Sequence, residues 1–519
     1  MKFYLINPKL PLTFTSNEYA AQVVFKKYSV PPLGLLTAAG MIPSGHEVVL
    51  CDENVSAINW EQEADVVGIS GMHLQGEGIR KMGRHFRARG AKVIVGGPSA
   101  MALPDRYRDV ADVLMLGEAE QIWPECLADL ERGVVKPAYR PAETVDLRTS
   151  PIPRFDLAPR RDYMQISLQT TRGCPFKCEF CDIITLYGRK VRVKPVTQVI
   201  TEVDRVLALG WDRLFFVDDN FIGDPRYAME LAEALAARRK GMKNPFVFST
   251  QLTINLAHNT KLLQALFDAG CRAVFIGIET PRVSSLQETH KFQNVRKDLL
   301  GDVERIQSQG IAVYSGLMVG FDHDDTDIFD EQLDFIRAAK IPLPMPSMVG
   351  ALPGTPLYER LRVEGRLIPE SAEQGNTLQT NIVPKLMTMD EFQQGYRSMV
   401  KGLYSPENFV ERVLGELEHL NRSSSKASNY RMPVILGGFV WVLLWYLADP
   451  NRAALLKAYV LLVPRVFARF PKVADAALQR LITYRHACRF ASTVERQYSE
   501  RPSARAHVPQ PELSAPLGR

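Results

Sequence analysis

The sequence has no disulfide framework. Its 519 residues hold seven cysteines, an odd number, and four of them (Cys51, Cys126, Cys271 and Cys488) stand alone. A secretory leader is also missing. The opening MKFYLINPKL enters a strand-like run with no apolar h-region or small-residue cleavage site. Both absences point to a reducing cytoplasm, where thiolates stay free to bind metal. Long apolar runs are scarce. The longest, MPVILGGFVWVLLWYLA from Met432 to Ala448, falls short of the about 20 residues of a bilayer span. Its length and its two glycines leave a short membrane helix and a buried helix of a helical domain both open. No nucleic-acid-binding module is recognisable, and no catalytic acid or base stands out.

What is present is a globular composition, 46% hydrophobic and 23% charged. The length exceeds one ordinary core and implies two to four domains. The net charge of +5 hides an asymmetry. Residues 431–519 carry 13 Lys and Arg against 5 Asp and Glu, and the rest of the chain is slightly acidic. A basic tail seeks an anionic partner. Its apolar interleaving, as in ALLKAYVLLVPRVFARF, favours a lipid surface over nucleic acid.

The first 120 or so residues repeat an apolar run, a turn and a helical stretch. The runs KFYLINP, HEVVLCDEN, ADVVGISGMH, AKVIVGGPSA and ADVLMLGEAE are apolar on both faces, as buried parallel strands are. They predict a doubly wound, Rossmann-like α/β domain. Its ligands would sit outside the carboxyl ends of the strands, at Ser70-Gly71, Gly96-Gly97 and Gly117-Glu118. A polar, proline-bearing linker over 140–160 follows. Six further strand candidates then alternate with helices over 161–365: YMQISLQTTRG, RLFFVDDNF, FVFSTQ, AVFIGIET, VYSGLMVGF and PSMVGALPG. Six βα units predict a partial (β/α)6 version of the eight-unit barrel, with its chemistry at the strands' carboxyl ends. Residues 366–505 read as a mostly helical region, and 506–519 as a disordered tail.

The first βα loop of that barrel carries TTRGCPFKCEFC, with Cys174, Cys178 and Cys181 in C-x3-C-x2-C spacing. Three thiolates can hold an iron–sulfur cubane and leave one iron open to a small molecule. A zinc site with a distant fourth ligand is the plainer alternative. Spacing, position and the aromatic Phe180 before the third cysteine resemble the radical S-adenosylmethionine (SAM) enzymes. The resemblance implies a 4Fe-4S cluster on the three cysteines, with SAM on the open iron. It places Phe180, Asp218, Asp219, Ser249, Gly277 and Glu279 around SAM, with Asn220 and Thr250 beside them.

An α/β domain directly before such a barrel resembles the cobalamin-binding class, through PPLGLLTAAG, DEN, GISGMH, GGPSA and GEAE in family order. In the stretch corresponding to D-x-H-x-x-G, Asn54 replaces the histidine and Ala57 the glycine. Cobalamin is therefore expected without a histidine lower ligand, with His73 a structural or phosphate-contacting residue. The branch resembled includes hopanoid methylases, archaeal lipid ring synthases and bacteriochlorophyll side-chain methyltransferases. It implies C-methylation of an unactivated carbon in a small apolar isoprenoid, lipid or tetrapyrrole substrate. A radical C–C bond-forming cyclase or mutase is the alternative. A tRNA methylthiotransferase fits less well, since neither extra cluster cysteines nor an RNA-binding β-barrel is visible. An electron donor such as flavodoxin or ferredoxin is implied. So is a cytoplasmic location, with peripheral contact at the inner membrane surface through the basic-apolar tail.

Overall fold

A computed structural model describes residues 1–295, 298–368, 379–422 and 431–499. The expected tail at 506–519 lies outside these residues, as does most of the polar breaker after Arg422.

The amino-terminal sheet has six parallel strands: β1 (Lys2–Asn7), β2 (Glu47–Asp52), β3 (Val66–Ser70), β4 (Lys92–Gly96), β5 (Val113–Met115) and β6 (Ala138–Tyr139). Their order is β2-β1-β3-β4-β5-β6. Alternate side chains of one strand enter different cores. Phe3 and Leu5 join one apolar cluster, while Tyr4 and Ile6 join another across the sheet. Both faces are therefore covered, which is why these strands read as continuous apolar runs. The chain leaves β1 for β2 on one side and for β3 on the other. That reversal is the switch point where sheets of this kind open a crevice.

The second sheet is also parallel: β7 (Ile166–Leu168), β10 (Arg213–Phe216), β11 (Val247–Gln251), β12 (Cys271–Glu279), β13 (Ala312–Val319) and β14 (Pro344–Met348). These strands lie side by side in chain order, as an incomplete barrel requires. Between β7 and β10 a short antiparallel ribbon forms from β8 (Thr171–Arg172) and β9 (Arg192–Val193). It closes the base of the loop that holds the three cysteines.

The last strand differs from the sequence-based expectation, beginning at Pro344 rather than Pro346. Pro344 and Pro346 read as breakers, but an edge strand tolerates residues without an N–H. Their carbonyls accept from Tyr404 Oη at 2.6 Å and Tyr396 Oη at 3.1 Å. The carboxyl-terminal helices thus cover the open edge of the barrel, where unpaired strand groups are otherwise a liability.

Those helices are Pro356–Val363, Met389–Leu403, Pro406–Arg422, Met432–Leu447, Arg452–Arg469 and Ala474–Ser499. The amphipathic stretch from Thr388 to Leu420 forms two of them, since Pro406 starts a new helix. Arg480 pairs with Glu416 at 2.8 Å and Arg485 with Asp449 at 2.8 Å, all four side chains buried. Among the described residues no helix is long and apolar enough to cross a membrane.

Candidate functional site

The cysteine loop leaves β8 through Gly173, whose φ of +91° suits glycine. A Cβ there would stand 2.7 Å from the Lys190 carbonyl oxygen. Cys178 is buried, and Cys174 and Cys181 are partly so. Burial pushes the Cys181 thiol up to about 12 and raises that of Cys174, with the neighbouring thiols adding to both. Among the described residues no three His, Cys, Asp or Glu side chains converge as ligands of one metal ion would. A cubane takes each thiolate on a different iron, so its cysteines need not converge on one point. Three thiols on one loop are a donor set that such a cubane takes, with one iron left open.

Lys291 is buried beside these thiols. Burial opposes its charge, but Glu279 and the thiols of Cys178 and Cys181 outweigh burial and raise its pKa. It pairs with Glu279, and its ammonium lies 5.6 Å from the Phe180 ring centroid. Glu279 adopts φ +65°, at a register shift where β12 meets β13. A Cβ on Gly277 would crowd the Lys291 Nζ at 2.8 Å. Gln293 Nε2 donates to Cys178 Sγ at 3.4 Å. Phe180, Gly277 and Glu279 are thus brought together beside the cysteines. Lys291 and Gln293 were missed because they follow β12 in an irregular segment without periodicity.

Asp218 and Asp219 follow β10. Asp218 is fully buried, and burial pushes its pKa up to about 6 against its hydrogen bonds. Its Oδ1 accepts from the backbone N–H groups of Thr170 at 2.6 Å and Thr171 at 2.9 Å, and its Oδ2 from the Thr170 hydroxyl at 2.5 Å. These bonds pin the end of β7 to the end of β10. Such a carboxylate holds the strand ends where the resemblance places support for SAM. Asp219 accepts from the Gly173 N–H at 2.9 Å and holds the entry to the loop. Ser249 stands further along the strand ends, its hydroxyl 3.4 Å from Gln165 Oε1.

On the other sheet, Ser70 pairs in register with Gly96. Gly97, at φ +86°, brings its backbone so close that a Cβ would lie 2.5 Å from Ser70 Oγ. Gly71 accepts from the Ser99 N–H at 3.2 Å. Gly117 packs against Pro141 with no room for a Cβ. Asn54 donates to Asp52 Oδ1 at 2.7 Å, and Tyr163 Oη donates to Asp52 Oδ2 at 3.0 Å. The stretch corresponding to D-x-H-x-x-G is therefore occupied by an internal network. His73 lies just past β3, buried, and burial lowers its pKa. Among the described residues neither ring nitrogen has a hydrogen-bond partner.

The two sheets are clasped at these ends. Arg172 donates to Glu118 at 2.7 Å and to Glu120 at 2.6 Å, and Arg192 donates to Glu118 at 2.7 Å. Both arginines belong to the β8–β9 ribbon. Glu118, expected at a cofactor, belongs to this buried network and also lines the neighbouring cleft. Beside it opens a cleft of about 530 Å³, lined by Met101, Gly117, Glu118 and residues 141–144 on one side. Asp182, Thr185 and Leu186 of the cysteine loop line it opposite, with Pro353 and Gly354. Its volume is within the range of small-molecule sites. Residues 141–144, expected to be linker, are part of its wall.

Comparison with known proteins agrees with this layout. The B12 binding domain matches residues 24–127, the Radical SAM superfamily residues 168–336, and a domain of unknown function residues 355–500. An uncharacterized methyltransferase of Synechocystis sp. is 39% identical over 419 residues, covering 79% of this chain and 78% of the relative. The chain belongs to the radical SAM family with an amino-terminal B12-binding domain. The hopanoid C-2 methylase of Rhodopseudomonas palustris is 33% identical over 428 residues, covering 79% and 80%. The fold is shared with the cobalamin-dependent SAM radical enzyme OxsB. The TM-score is 0.61 at 15% identity, covering 96% of this chain and 80% of that one. This radical SAM enzyme takes a 4Fe-4S cluster, SAM and cobalamin as its cofactors. The cleft lies between the carboxyl edges of the two parallel sheets, beside the cysteine loop.

Proposed function

We propose that this radical SAM enzyme is a cobalamin-dependent C-methyltransferase acting on an unactivated carbon of an apolar isoprenoid, lipid or tetrapyrrole substrate. The observation that carries this reading is the shared cleft, which brings the cysteine loop and the β5 end of the B12-binding domain to one space. Cys174, Cys178 and Cys181 are assigned to the cluster. Gly277, Glu279, Lys291 and Phe180 would hold SAM beside it. Ser70, Gly71, Gly96 and Gly97 would lie toward cobalamin. Bound there, these cofactors supply a radical able to remove hydrogen from carbon and a carrier for the incoming methyl group.

The chain's own part is to orient and enclose. Asp218 and Asp219 hold the strand ends that launch the cysteine loop. The Arg172 and Arg192 clasp sets the distance between the two cofactor-bearing edges, where small displacements are costly in rate. Electrons come from a small donor such as flavodoxin or ferredoxin. The basic-apolar carboxyl-terminal helices give contact with the membrane surface where an apolar substrate resides.

Product stoichiometry tests the reaction. Protein reconstituted anaerobically with iron and sulfide receives SAM, reductant and a host lipid extract, with and without cobalamin. Equal S-adenosylhomocysteine and 5′-deoxyadenosine, both requiring cobalamin, are expected. 5′-Deoxyadenosine alone, indifferent to cobalamin, would overturn methyl transfer in favour of a radical cyclase or mutase.

A further inference from the structure

The helix Met432–Leu447 contains no charged residue. Ile435, Phe439, Val442 and Tyr446 fall on one side and are buried. The opposite side carries Val434, Leu436, Val440, Trp441, Leu444 and Leu447, each at least a third exposed. Among the described residues this face stays largely exposed, with Phe25 against Trp441. A soluble surface helix normally turns polar residues outward, and a contiguous apolar patch marks an interaction site.

A second element extends the patch from more than 400 residues away. Phe25 is 76% exposed and stacks on Trp441, with ring centroids 5.1 Å apart. Its φ of +58° is the left-handed cap that ends the helix Glu18–Val23, with the Lys26 N–H donating to the Ala21 carbonyl at 2.9 Å. Trp441 Nε1 donates to the Val23 carbonyl at 2.7 Å, locking the two elements together.

Cations adjoin the patch, some of them paired. Lys26 and Lys27 follow Phe25. Lys26 Nζ donates to the Arg160 carbonyl at 2.6 Å, and Lys27 pairs with Asp162 at 3.0 Å. Burial and then the Arg160 charge lower the Lys26 pKa, with Asp162 and Asp212 opposing. Arg431 precedes the helix, and Arg452, Lys457, Arg465 and Arg469 follow on the next. The one acidic residue between 431 and 469, Asp449, is buried against Arg485 and Arg489.

We propose that this face, Trp441 and Phe25 at its centre, seats on an anionic lipid bilayer and lies in its surface. Apolar residues adjoined by cations match the headgroup boundary. At about 24 Å the helix is too short to cross. The inference gives a surface to the membrane contact of the proposed function but does not require its chemistry.

The experiment is co-sedimentation of the full chain with phosphatidylglycerol vesicles and with phosphatidylcholine vesicles, without SAM. Wild type is expected to bind the anionic vesicles at least tenfold more tightly. Val440→Glu with Leu444→Glu should lose at least tenfold of that binding, at unchanged melting temperature and iron content. Phe25→Asn, a milder change, should lose several-fold. Equal affinity for both vesicles, or binding that survives the double substitution, would overturn the proposal. So would a dimer at micromolar concentration that the double substitution dissolves, since a second copy would then cover the face. Vesicle binding without methylated product would sink the reaction and leave this surface standing. Methylation in detergent without vesicle binding would do the reverse.

Discussion

The guanidinium of Arg172 reaches Glu118 Oε2 at 2.7 Å, joining the ribbon beneath the cysteine loop to the end of β5 in the B12-binding domain. Both side chains are nearly inaccessible to water, and Glu120 and Arg192 complete the network. Burial works against all of these charges. Arg172 nevertheless holds the Glu120 carboxyl below its ordinary range.

Removing one partner of such a network leaves an uncompensated buried charge. Arg172→Met should therefore destabilise the protein by about 3–5 kcal/mol. Arg172→Met with Glu120→Gln, which leaves Glu118 paired with Arg192, should recover much of that loss. Urea denaturation midpoints decide the matter, and a single variant as stable as wild type would contradict the clasp.

The cluster assignment makes a separate prediction. Replacing Cys174, Cys178 and Cys181 by Ala should abolish iron incorporation and the brown absorbance after reconstitution. Cys126→Ala, at a buried lone thiol on the first domain, should keep both. Iron analysis on the two proteins side by side checks it, and a retained cluster in the triple variant would refute the assignment.

Lys291 neutralises Glu279 in a site closed to water. Lys291→Met should cost about 3–5 kcal/mol, because the carboxylate it leaves behind is buried and unpaired. Adding Glu279→Gln should restore part of the stability while weakening SAM binding, measured calorimetrically on reconstituted protein. Unchanged stability in Lys291→Met would show that the pair does not form.

His486 sets an acid limit. Its Nε2 faces the carbonyls of Thr13 and Phe14 at 3.0 and 3.1 Å, and burial pushes its pKa down to about 4. The unfolded chain, with an ordinary value of 6.5, binds its proton first as pH falls. Stability is therefore intact above about pH 6.5 and lost progressively toward pH 4, by roughly 3 kcal/mol in all. Melting temperatures from pH 7 to 4 should fall less steeply in His486→Gln. Parallel slopes would remove His486 as the cause.

Much of the fold was legible because the physics is local. Strands β1 to β5 and five of the six barrel strands are apolar runs bounded by turn residues, and parallel strands buried on both faces need such runs. The cysteine spacing lies within eight residues and survives any reading of the rest. Strands β6, β8 and β9 were not legible, since two residues carry no periodicity. The start of β14 was hidden because Pro344 and Pro346 disfavour a strand unless it is an edge, and edge position is a property of the sheet. Asp218 reads as a ligand at a strand end, yet its oxygens are filled by backbone N–H groups and a hydroxyl that only the fold brings near.

By itself, the sequence determined the two α/β halves, the cysteine loop and the family to which they belong, because chain-local patterns encode strands, turns and thiolate spacing. Only the tertiary structure decided that Arg172 and Glu118 meet, that Lys291 lies beside the thiols and that residues 141–144 wall the cleft. It also decided which side of the helix Met432–Leu447 faces water. Those are contacts between distant segments, and burial and charge pairing act through space rather than along the chain.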